Sequence, residues 1–454
     1  MATRCLVIGL DCVPPALAFD RLRAALPNLT ALVARGAHGP MRSTVPPITV
    51  PAWVSMTTGR DPGELGLYGF RQRRRGTYDL ALSDARDAPA PRLWDVLGGA
   101  GHRVAALYVP MTSPPRPVNG VLVSGLLSPG PDAPHTHPPG LGDVLRARFG
   151  PHRPDVDEFR TDDLGHVLDQ LYATTKLHFD VAHHVWTEER PAFQMLVEMG
   201  TDRLHHAAWR HLDPEHPGHD PADPAVREVR DYYAFVDAQI GRLLAVAPAA
   251  NVLVVSDHGA RRFEGAVRIN EWLRRRGWLA LRVEPTEPAA LRPVDVDWSR
   301  TRAWAAGGYY ARVFLNVKGR EPDGVVEPEA RAATASALAQ ELAAMEGPFA
   351  VDVRRPEAIY GEVVGLAPDL LVVFGDLAYR GLGQVGGDVL TAENDRGPDG
   401  CNHDWEGIYV AAGPGISARG RLDGLTLFDV APTVLGLFGV APPAGWRGRD
   451  RRAG

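Results

Sequence analysis

The stretch CLVIGLD, from Cys5 to Asp11, decides the fold that this sequence predicts. Its first six residues are an uninterrupted apolar run, which is typical of a strand buried on both faces of a sheet. Strands of this kind occur mostly in parallel sheets that helices cover on both sides. Because ligands of open α/β sheets bind at the carboxyl ends of the strands, Asp11 is the first candidate site residue.

Similar apolar runs recur along the chain, and segments with helical periodicity lie between many of them. In the predicted helix Asp231–Leu244, for example, Val236 and Ile240 lie on one face. Strands that alternate with helices predict an α/β fold with a mostly parallel central sheet. The other predicted strands are Val104–Tyr108, Gly120–Leu126, Gln194–Glu198, Asn251–Val255, Asp369–Phe374 and Ile408–Ala412, and a further predicted helix is Phe428–Phe438.

The segment from residue 262 to residue 387 differs in character from the rest of the chain. It is predicted to contain a helix over Glu329–Met345 and a hairpin over Trp304–Val317, which is rich in aromatic and β-branched residues. We therefore predict a smaller α+β subdomain at 262–387, inserted into a core that is formed by residues 1–261 and 388–454.

The composition is that of an ordinary globular protein, with 454 residues of which 45% are hydrophobic and 23% charged. A net charge of −6 provides no global basic field, which argues against a nucleic acid polymer or an anionic membrane as partner. The three cysteines offer neither a disulfide framework nor a CxxC metal spacing. We find no targeting leader and no apolar run of about 18 residues, so we expect a soluble, cytoplasmic protein. The sequence does not indicate an oligomeric state.

Two pairs of Asp and His residues follow predicted strands. Asp202 and His206 are four residues apart, so on a helical turn both side chains project to one side and can share a cation. Asp257 and His258 are adjacent at a strand end, where both can reach one metal. Aspartate with histidine is typical of zinc or manganese sites. A helix-surface ion pair and a polar turn would explain the two pairs equally well.

Three further residues carry chemistry in this pattern. Thr49 lies just before Pro51, which suits the first turn of a helix, and a hydroxyl at a helix N-terminus is well placed to meet a phosphate. His403 precedes the strand Ile408–Ala412 and offers one more imidazole. Helix caps at Asp11 and Thr49 are the alternative interpretation.

Taken in order, these motifs resemble the type I phosphodiesterase/nucleotide pyrophosphatase family of the alkaline phosphatase superfamily. The resemblance extends from Asp11 to about Gly448, and its strength lies in the ordered set. The motifs are GLD at 9–11, PPITVPAW at 46–53, DRLHH at 202–206, SDHG at 256–259, NH at 402–403 before GIYVAAGPGI, and DVAPTVL at 429–435.

The resemblance implies an alkaline-phosphatase-like three-layer sandwich and an active site with two divalent metal ions, zinc first and manganese second. One metal would be surrounded by Asp11, Thr49, Asp257 and His258, and the other would be bound by Asp202, His206 and His403. Thr49 would be the nucleophile that forms a phosphothreonine intermediate, and the substrate would be a small-molecule phosphate ester.

Within the family, the resemblance favours a phosphodiesterase or nucleotide pyrophosphatase. A phosphomonoesterase or a phosphonate-ester hydrolase on the same core is the alternative. A non-catalytic descendant that binds a phosphorylated ligand would have lost a ligand residue, and none is lost here.

The sequence departs from the family pattern at two places. The family reads TxPN at the nucleophile, whereas Ala52 stands at the Asn position here and Trp53 follows it. A later Asn of the family, which contacts a phosphate oxygen, is matched by Phe70. These changes affect the expected nucleotide substrate rather than the metal core, and Trp53 or Phe70 could instead shape an apolar pocket. In the predicted hairpin, Tyr309, Tyr310 and Arg312 are candidates for lining the substrate pocket, although packing on the sheet explains them equally well.

Overall fold

The computed structural model describes residues 3–88 and 91–454, which form two compact units. The first unit comprises residues 1–65, 83–260 and 403–454, and the second comprises residues 66–82 and 261–402. Residues 1–2 belong to the N-terminal segment that was inspected for a targeting leader, and residues 89–90 belong to the predicted core at 1–261. These four residues lie outside the described part of the chain.

The central sheet of the first unit contains ten strands within the described residues. Cys5–Leu10 lies inside this sheet, fully buried, and pairs in parallel with both of its neighbours. Across the sheet the order is Gly420–Arg421, Ala37–Arg42, Glu406–Ala412, Asn251–Val255, Cys5–Leu10, Phe193–Glu198, Val104–Val109, Gly120–Ser124 and Thr136–His137, and Leu425–Thr426 also pairs with Ala37–Arg42. The prediction of a mostly parallel sheet is confirmed.

Two of the predicted parallel strands are antiparallel in the structure. Glu406–Ala412 runs antiparallel to Asn251–Val255 in the central sheet. The strand predicted at Asp369–Phe374 extends over Leu370–Phe374, belongs to the second unit and is antiparallel to Ala311–Leu315. An apolar run indicates burial on both faces but carries no information about strand direction, which explains the error.

Helices cover both faces of the central sheet, which confirms the α/β fold class. The two longest helices, Leu164–Glu188 and Pro224–Ala245, begin with side-chain caps. Asp163 accepts a hydrogen bond from the His166 amide, and Asp223 accepts one from the Ala225 amide. One group of helices is Pro27–Arg35, Leu141–Phe149, Leu164–Glu188, Gly200–Leu212 and Pro224–Ala245. The other group is Thr49–Thr58, Leu93–Gly99 and Val430–Leu437, and Pro62–Leu65 follows the first of these in the chain. No helix among the described residues is long and apolar enough to span a membrane.

The second unit is built on its own sheet, and the predicted hairpin is present as Ala303–Ala306 and Ala311–Leu315. The predicted helix is present as Arg331–Ala343. The remaining strands of this sheet are Gly265–Arg268, Val351–Arg354, Leu370–Phe374, Tyr379–Leu382 and Leu390–Thr391. Shorter elements of the unit are the strands Arg71–Arg73, Leu80–Leu82, Ala289–Ala290 and Gln384–Val385 and the helices Ile269–Arg275 and Pro356–Ile359. The chain passes from one unit to the other within the strands Gly259–Arg262 and Cys401–Asp404.

The boundaries of the second unit differ from the predicted insert at 262–387. The unit continues to residue 402, and its strand Leu390–Thr391 pairs with Gly265–Arg268. It also includes residues 66–82, where Tyr78 follows a short strand and joins the hydrophobic core of the unit. The Tyr78 ring stacks on Trp298 at 3.4 Å between ring centroids, and its hydroxyl donates to Asn316 Oδ1 at 2.8 Å. This early segment has no sequence signal that distinguishes it from a loop of the core.

The stacking of Tyr78 generates a stability prediction for the second unit. Tyr78→Ala removes a buried aromatic ring, and we expect it to lower the free energy of unfolding of this unit by about 3–5 kcal/mol. Tyr78→Phe keeps the ring and loses two hydrogen bonds, one donated to Asn316 Oδ1 and one accepted from the Asp323 amide, for an expected loss of about 1–2 kcal/mol. Urea unfolding followed by tryptophan fluorescence measures both variants. Equal losses for the two variants would show that stacking is not what fixes this segment.

Candidate metal centre

The candidate residues of the first unit converge at the carboxyl ends of three neighbouring strands. Asp11 follows Cys5–Leu10, Asp257 follows Asn251–Val255, and Asp202 lies in the first turn of the helix after Phe193–Glu198. Parallel strands end at the same edge of a sheet, so the topology alone brings these carboxylates together. All seven predicted site residues have at most 1% of their surface exposed, namely Asp11, Thr49, Asp202, His206, Asp257, His258 and His403.

Thr49 is the first residue of the buried helix Thr49–Thr58. The residue before it, Ile48, occupies the cap position with extended backbone angles and makes no side-chain cap. The interpretation of Thr49 as a simple cap is therefore wrong, because its hydroxyl is directed elsewhere. Thr49 Oγ1 lies 3.4 Å from His258 Nε2.

Two groups of side chains can be distinguished around the imidazoles. In the first, His258 Nε2 lies 3.2 Å from Asp257 Oδ2 and 3.6 Å from Asp11 Oδ1. In the second, Asp202 Oδ1 lies 3.4 Å from His206 Nε2 and 3.5 Å from His403 Nε2. The His258 and His403 rings stack at 3.8 Å between centroids, which joins the two groups. Since Asp202 and His206 are buried, they are not an ion pair on a helix surface.

The imidazoles are oriented so that their Nε2 atoms face the carboxylates. His258 Nδ1 lies 3.1 Å from the Gly259 carbonyl oxygen and His403 Nδ1 lies 3.0 Å from the Pro47 carbonyl oxygen. A carbonyl can only accept, so Nδ1 carries the hydrogen in both rings and the Nε2 lone pairs point into the cluster. Burial, reinforced by His403, lowers the pKa of His258 well below its usual value. Burial likewise lowers the pKa of His403 to about 4, although Asp202 opposes this shift.

Each carboxylate of the cluster uses one oxygen for a hydrogen bond within the protein. Trp53 Nε1 donates to Asp11 Oδ2 at 2.6 Å, and the Cys12 amide donates to Asp257 Oδ1 at 3.3 Å. Arg203 Nη1 donates to Asp202 Oδ2 at 2.6 Å. Within the described residues, the other oxygen of each carboxylate accepts no hydrogen bond and faces an imidazole Nε2 lone pair. Electron pairs that face one another in a buried space are the arrangement that a divalent cation stabilises.

The electrostatics of the carboxylates lead to the same conclusion. Burial and the charge of Asp202 raise the pKa of Asp11 well above its usual value, and burial and the charge of Asp11 do the same for Asp257. Burial would also raise the pKa of Asp202, but His206 and Arg203 outweigh it and hold this pKa well below its usual value. Asp11 and Asp257 therefore lack compensating positive charge, and this donor set of carboxylates and imidazoles fits zinc or manganese.

Two groups that the sequence analysis did not assign to the centre support it directly. Trp53 is fully buried and bonded to Asp11, so it does not have the pocket-shaping role that was expected of it. A Cβ on Gly9 would lie 2.4 Å from Trp53 Cη2, so the glycine of the GLD motif makes room for the indole. The PxxTxPxW spacing places Trp53 one helical turn after Thr49, which is the signal that could have identified it.

Arg203 is the second supporting group. Arg203 donates two hydrogen bonds to Asp155, from Nε to Oδ1 at 2.9 Å and from Nη2 to Oδ2 at 2.6 Å. Its third donor, Nη1, donates to Asp202. Its position directly after Asp202 in the motif was the available signal. The neighbouring His205 is buried with Nε2 2.6 Å from the Tyr233 hydroxyl, in agreement with its exclusion from the predicted ligands. Phe70, at the family's second Asn position, belongs to the second unit.

Comparisons with known proteins agree with this geometry. The chain resembles phosphonoacetate hydrolase from Sinorhizobium meliloti 1021, with 18% sequence identity. The match covers 97% of this chain and 96% of that chain, and the TM-score is 0.65 for the complex with phosphonoacetate and 0.63 for the complex with phosphonoformate. It also resembles human ectonucleotide pyrophosphatase/phosphodiesterase 5, with 13% identity, 98% and 97% coverage and a TM-score of 0.57. An inactive variant of the murine form of that protein, in complex with AMP, gives 13% identity, 97% and 96% coverage and a TM-score of 0.57.

At these identities the solved structures establish the fold alone, which is alkaline-phosphatase-like. A search of curated protein sequences gave no match. The family model of type I phosphodiesterase/nucleotide pyrophosphatase matches residues 5–399, which includes six of the seven clustered site residues. The chain therefore belongs to the type I phosphodiesterase/nucleotide pyrophosphatase family.

Proposed function

We propose that the protein hydrolyses small-molecule phosphate esters, with Thr49 as the nucleophile and two divalent cations in the centre. The observation that carries the proposal is the buried cluster of three carboxylates and three imidazoles with the Thr49 hydroxyl beside it. A helix cap or a structural ion pair would not require carboxylate oxygens to face imidazole lone pairs.

The two side-chain groups of the cluster suit one cation each. Asp11, Asp257 and His258, together with Thr49, would hold one cation. Asp202, His206 and His403 would hold the other. Zinc is proposed before manganese, because half of the carboxylate and imidazole ligands are imidazoles. When bound, such cations lower the pKa of an adjacent hydroxyl and neutralise charge on the phosphoryl oxygens.

In the proposed reaction, Thr49 acts in two displacements. Its Oγ1 forms a bond to phosphorus while the bond between phosphorus and the leaving oxygen breaks. That oxygen departs with the electron pair and takes up a proton, which balances the proton that the hydroxyl releases. Water then cleaves the phosphothreonine and restores the hydroxyl. The N-terminus of the helix Thr49–Thr58 contributes the positive end of its dipole to the negatively charged phosphoryl group.

The substrate class proposed first is a phosphodiester, in keeping with the family. The departure at Ala52 favours a substrate other than a nucleotide, because the amide that the family places there is absent. A second candidate is a phosphonate, which the structural likeness to phosphonoacetate hydrolase favours. A phosphomonoester is the third class that the same cluster could accept.

The function is tested by hydrolysis of bis-p-nitrophenyl phosphate, p-nitrophenyl phosphate and phosphonoacetate, with zinc and with manganese. We expect the diester to be the best substrate. Thr49→Ala should lower kcat by roughly 10³-fold or more while metal content is retained, since only the nucleophile is removed. Acid quenching followed by mass spectrometry should detect a phosphorylated peptide that contains Thr49.

A matched control is available on the same helix. Thr58 donates its hydroxyl to the Val54 carbonyl, so Thr58→Ala should keep its activity. A preference for the monoester or for phosphonoacetate would change the proposed substrate class but leave the proposed metal centre unchanged. Undiminished activity in Thr49→Ala would refute the assignment of Thr49 as the nucleophile.

The indole of Trp53 generates a separate prediction about metal affinity. Trp53→Phe removes the donor to Asp11 Oδ2, so that carboxylate loses its orientation, and we expect cation affinity to fall by about 10–100-fold. Chelator competition measures the affinity independently of turnover. Trp186→Phe is the control, because Trp186 is equally buried and donates to the Val246 carbonyl at 3.1 Å. Equal affinity losses in both variants would mean that the indole acts through packing alone.

A further inference from the structure

Arg312 is a buried cation of the second unit that has no acidic partner among the residues that the structure describes. It lies on the strand Ala311–Leu315 with 7% of its surface exposed. Its one hydrogen bond runs from Nη1 to the Arg71 carbonyl oxygen at 2.6 Å, and no carboxylate of the described residues lies within ion-pair distance of it. Burying a charge without a counter-charge is costly, so this arrangement requires an explanation.

Of the other buried arginines of this unit, two pair with a carboxylate and a third has two neutral acceptors. Arg73 pairs with Glu321 at 2.5 Å, and Arg380 pairs with Asp399 at 2.9 Å. Arg268 binds Gln384 Oε1 at 3.1 Å and the Asp388 carbonyl oxygen at 2.8 Å. Arg312 differs from all three in having a single neutral acceptor.

A second cation adds to the excess of positive charge. Burial lowers the pKa of Arg312, and the positive charge of the exposed Arg71 acts in the same direction. Within the described residues, Nε and Nη2 of Arg312 make no hydrogen bond. Two donors of one guanidinium are therefore available beside a second positive charge.

The backbone around this guanidinium is held rigidly. Tyr310, on the same hairpin, donates its hydroxyl to the Tyr68 carbonyl oxygen. The Gln72 side chain closes the adjoining loop with two hydrogen bonds. It accepts one from the Tyr68 amide at 3.2 Å and donates one to the Gly69 carbonyl oxygen at 2.9 Å. Gly69 has a φ of 152°, and a Cβ there would lie 3.3 Å from Arg312 Nη1. The donors are thus fixed in place before any ligand arrives, which favours binding.

We propose that Arg312 and Arg71 form a binding site on the second unit for a tetrahedral oxyanion, such as a phosphate or sulfate group. A guanidinium offers parallel N–H donors that match two oxygens of such an anion, and binding would supply the missing counter-charge. All residues of the site belong to the second unit. The proposal uses no residue of the reaction proposed for Thr49, and it is tested separately from that reaction.

Thermal unfolding of the zinc-loaded full-length protein in sodium sulfate, against sodium chloride at equal ionic strength, tests the proposal. We expect a saturable rise in Tm for the wild type. Arg312→Met should weaken the apparent sulfate affinity by roughly tenfold or more, because hydrogen bonds to a charged group are lost. Arg312→Met should also have a higher Tm than the wild type without sulfate, since an uncompensated buried charge is removed. Arg71→Gln should weaken sulfate binding without the rise in baseline Tm.

The matched control is Arg268→Met, which removes a buried arginine with neutral acceptors and should keep the saturable sulfate shift. His258→Ala removes a side chain of the metal centre and should also keep it, which separates this site from the proposed function. The proposal is overturned if Arg312→Met retains the wild-type sulfate affinity. It is likewise overturned if the saturable shift disappears in His258→Ala, or if the wild type shows only the gradual rise that sulfate gives any protein.

Discussion

Buried carboxylate oxygens that face imidazole lone pairs are the constraint on which the rest of this structure depends. Asp11, Asp202 and Asp257 lie fully inside the first unit, where an ionised carboxylate without compensation is strongly disfavoured. Arg203 compensates Asp202 but is also shared with Asp155. Two of the three imidazoles add little positive charge, because burial lowers the pKa of His258 and His403. A cluster of this kind is stable as a cation site and poorly explained as a structural core.

The fold meets this constraint through the edge of one sheet. Parallel pairing of Cys5–Leu10 with both neighbours brings three strand ends together, and Asp11 and Asp257 follow two of them. Glycine at position 9 lets the Trp53 indole approach and hold Asp11. The same helix that carries Trp53 begins at Thr49, so the nucleophile candidate and a support of the centre are fixed by one element. Precise placement of this kind is what catalysis by positioned groups requires.

Much of the fold and the candidate site could be predicted from the sequence. Apolar runs such as Cys5–Leu10 and Asn251–Val255 identify buried strands, and polar residues directly after them indicate the functional edge. Strand direction could not be predicted, as Glu406–Ala412 shows, because it depends on which strands become neighbours. The contribution of residues 66–82 to the second unit depends on the stacking of Tyr78 on Trp298, a contact far apart in sequence. The ion pair of Arg203 with Asp155 could not be predicted either, because these residues are also far apart in sequence.

The central claim is that the clustered side chains hold two divalent cations, and zinc stoichiometry tests it most directly. Native mass spectrometry of the metal-stripped chain during titration with zinc counts the ions that bind. The account predicts two zinc ions per chain, and one in Asp202→Ala, because Asp202 belongs to only one of the two groups. Binding of fewer than two ions by the wild type, or of two ions by Asp202→Ala with unchanged affinity, would contradict it.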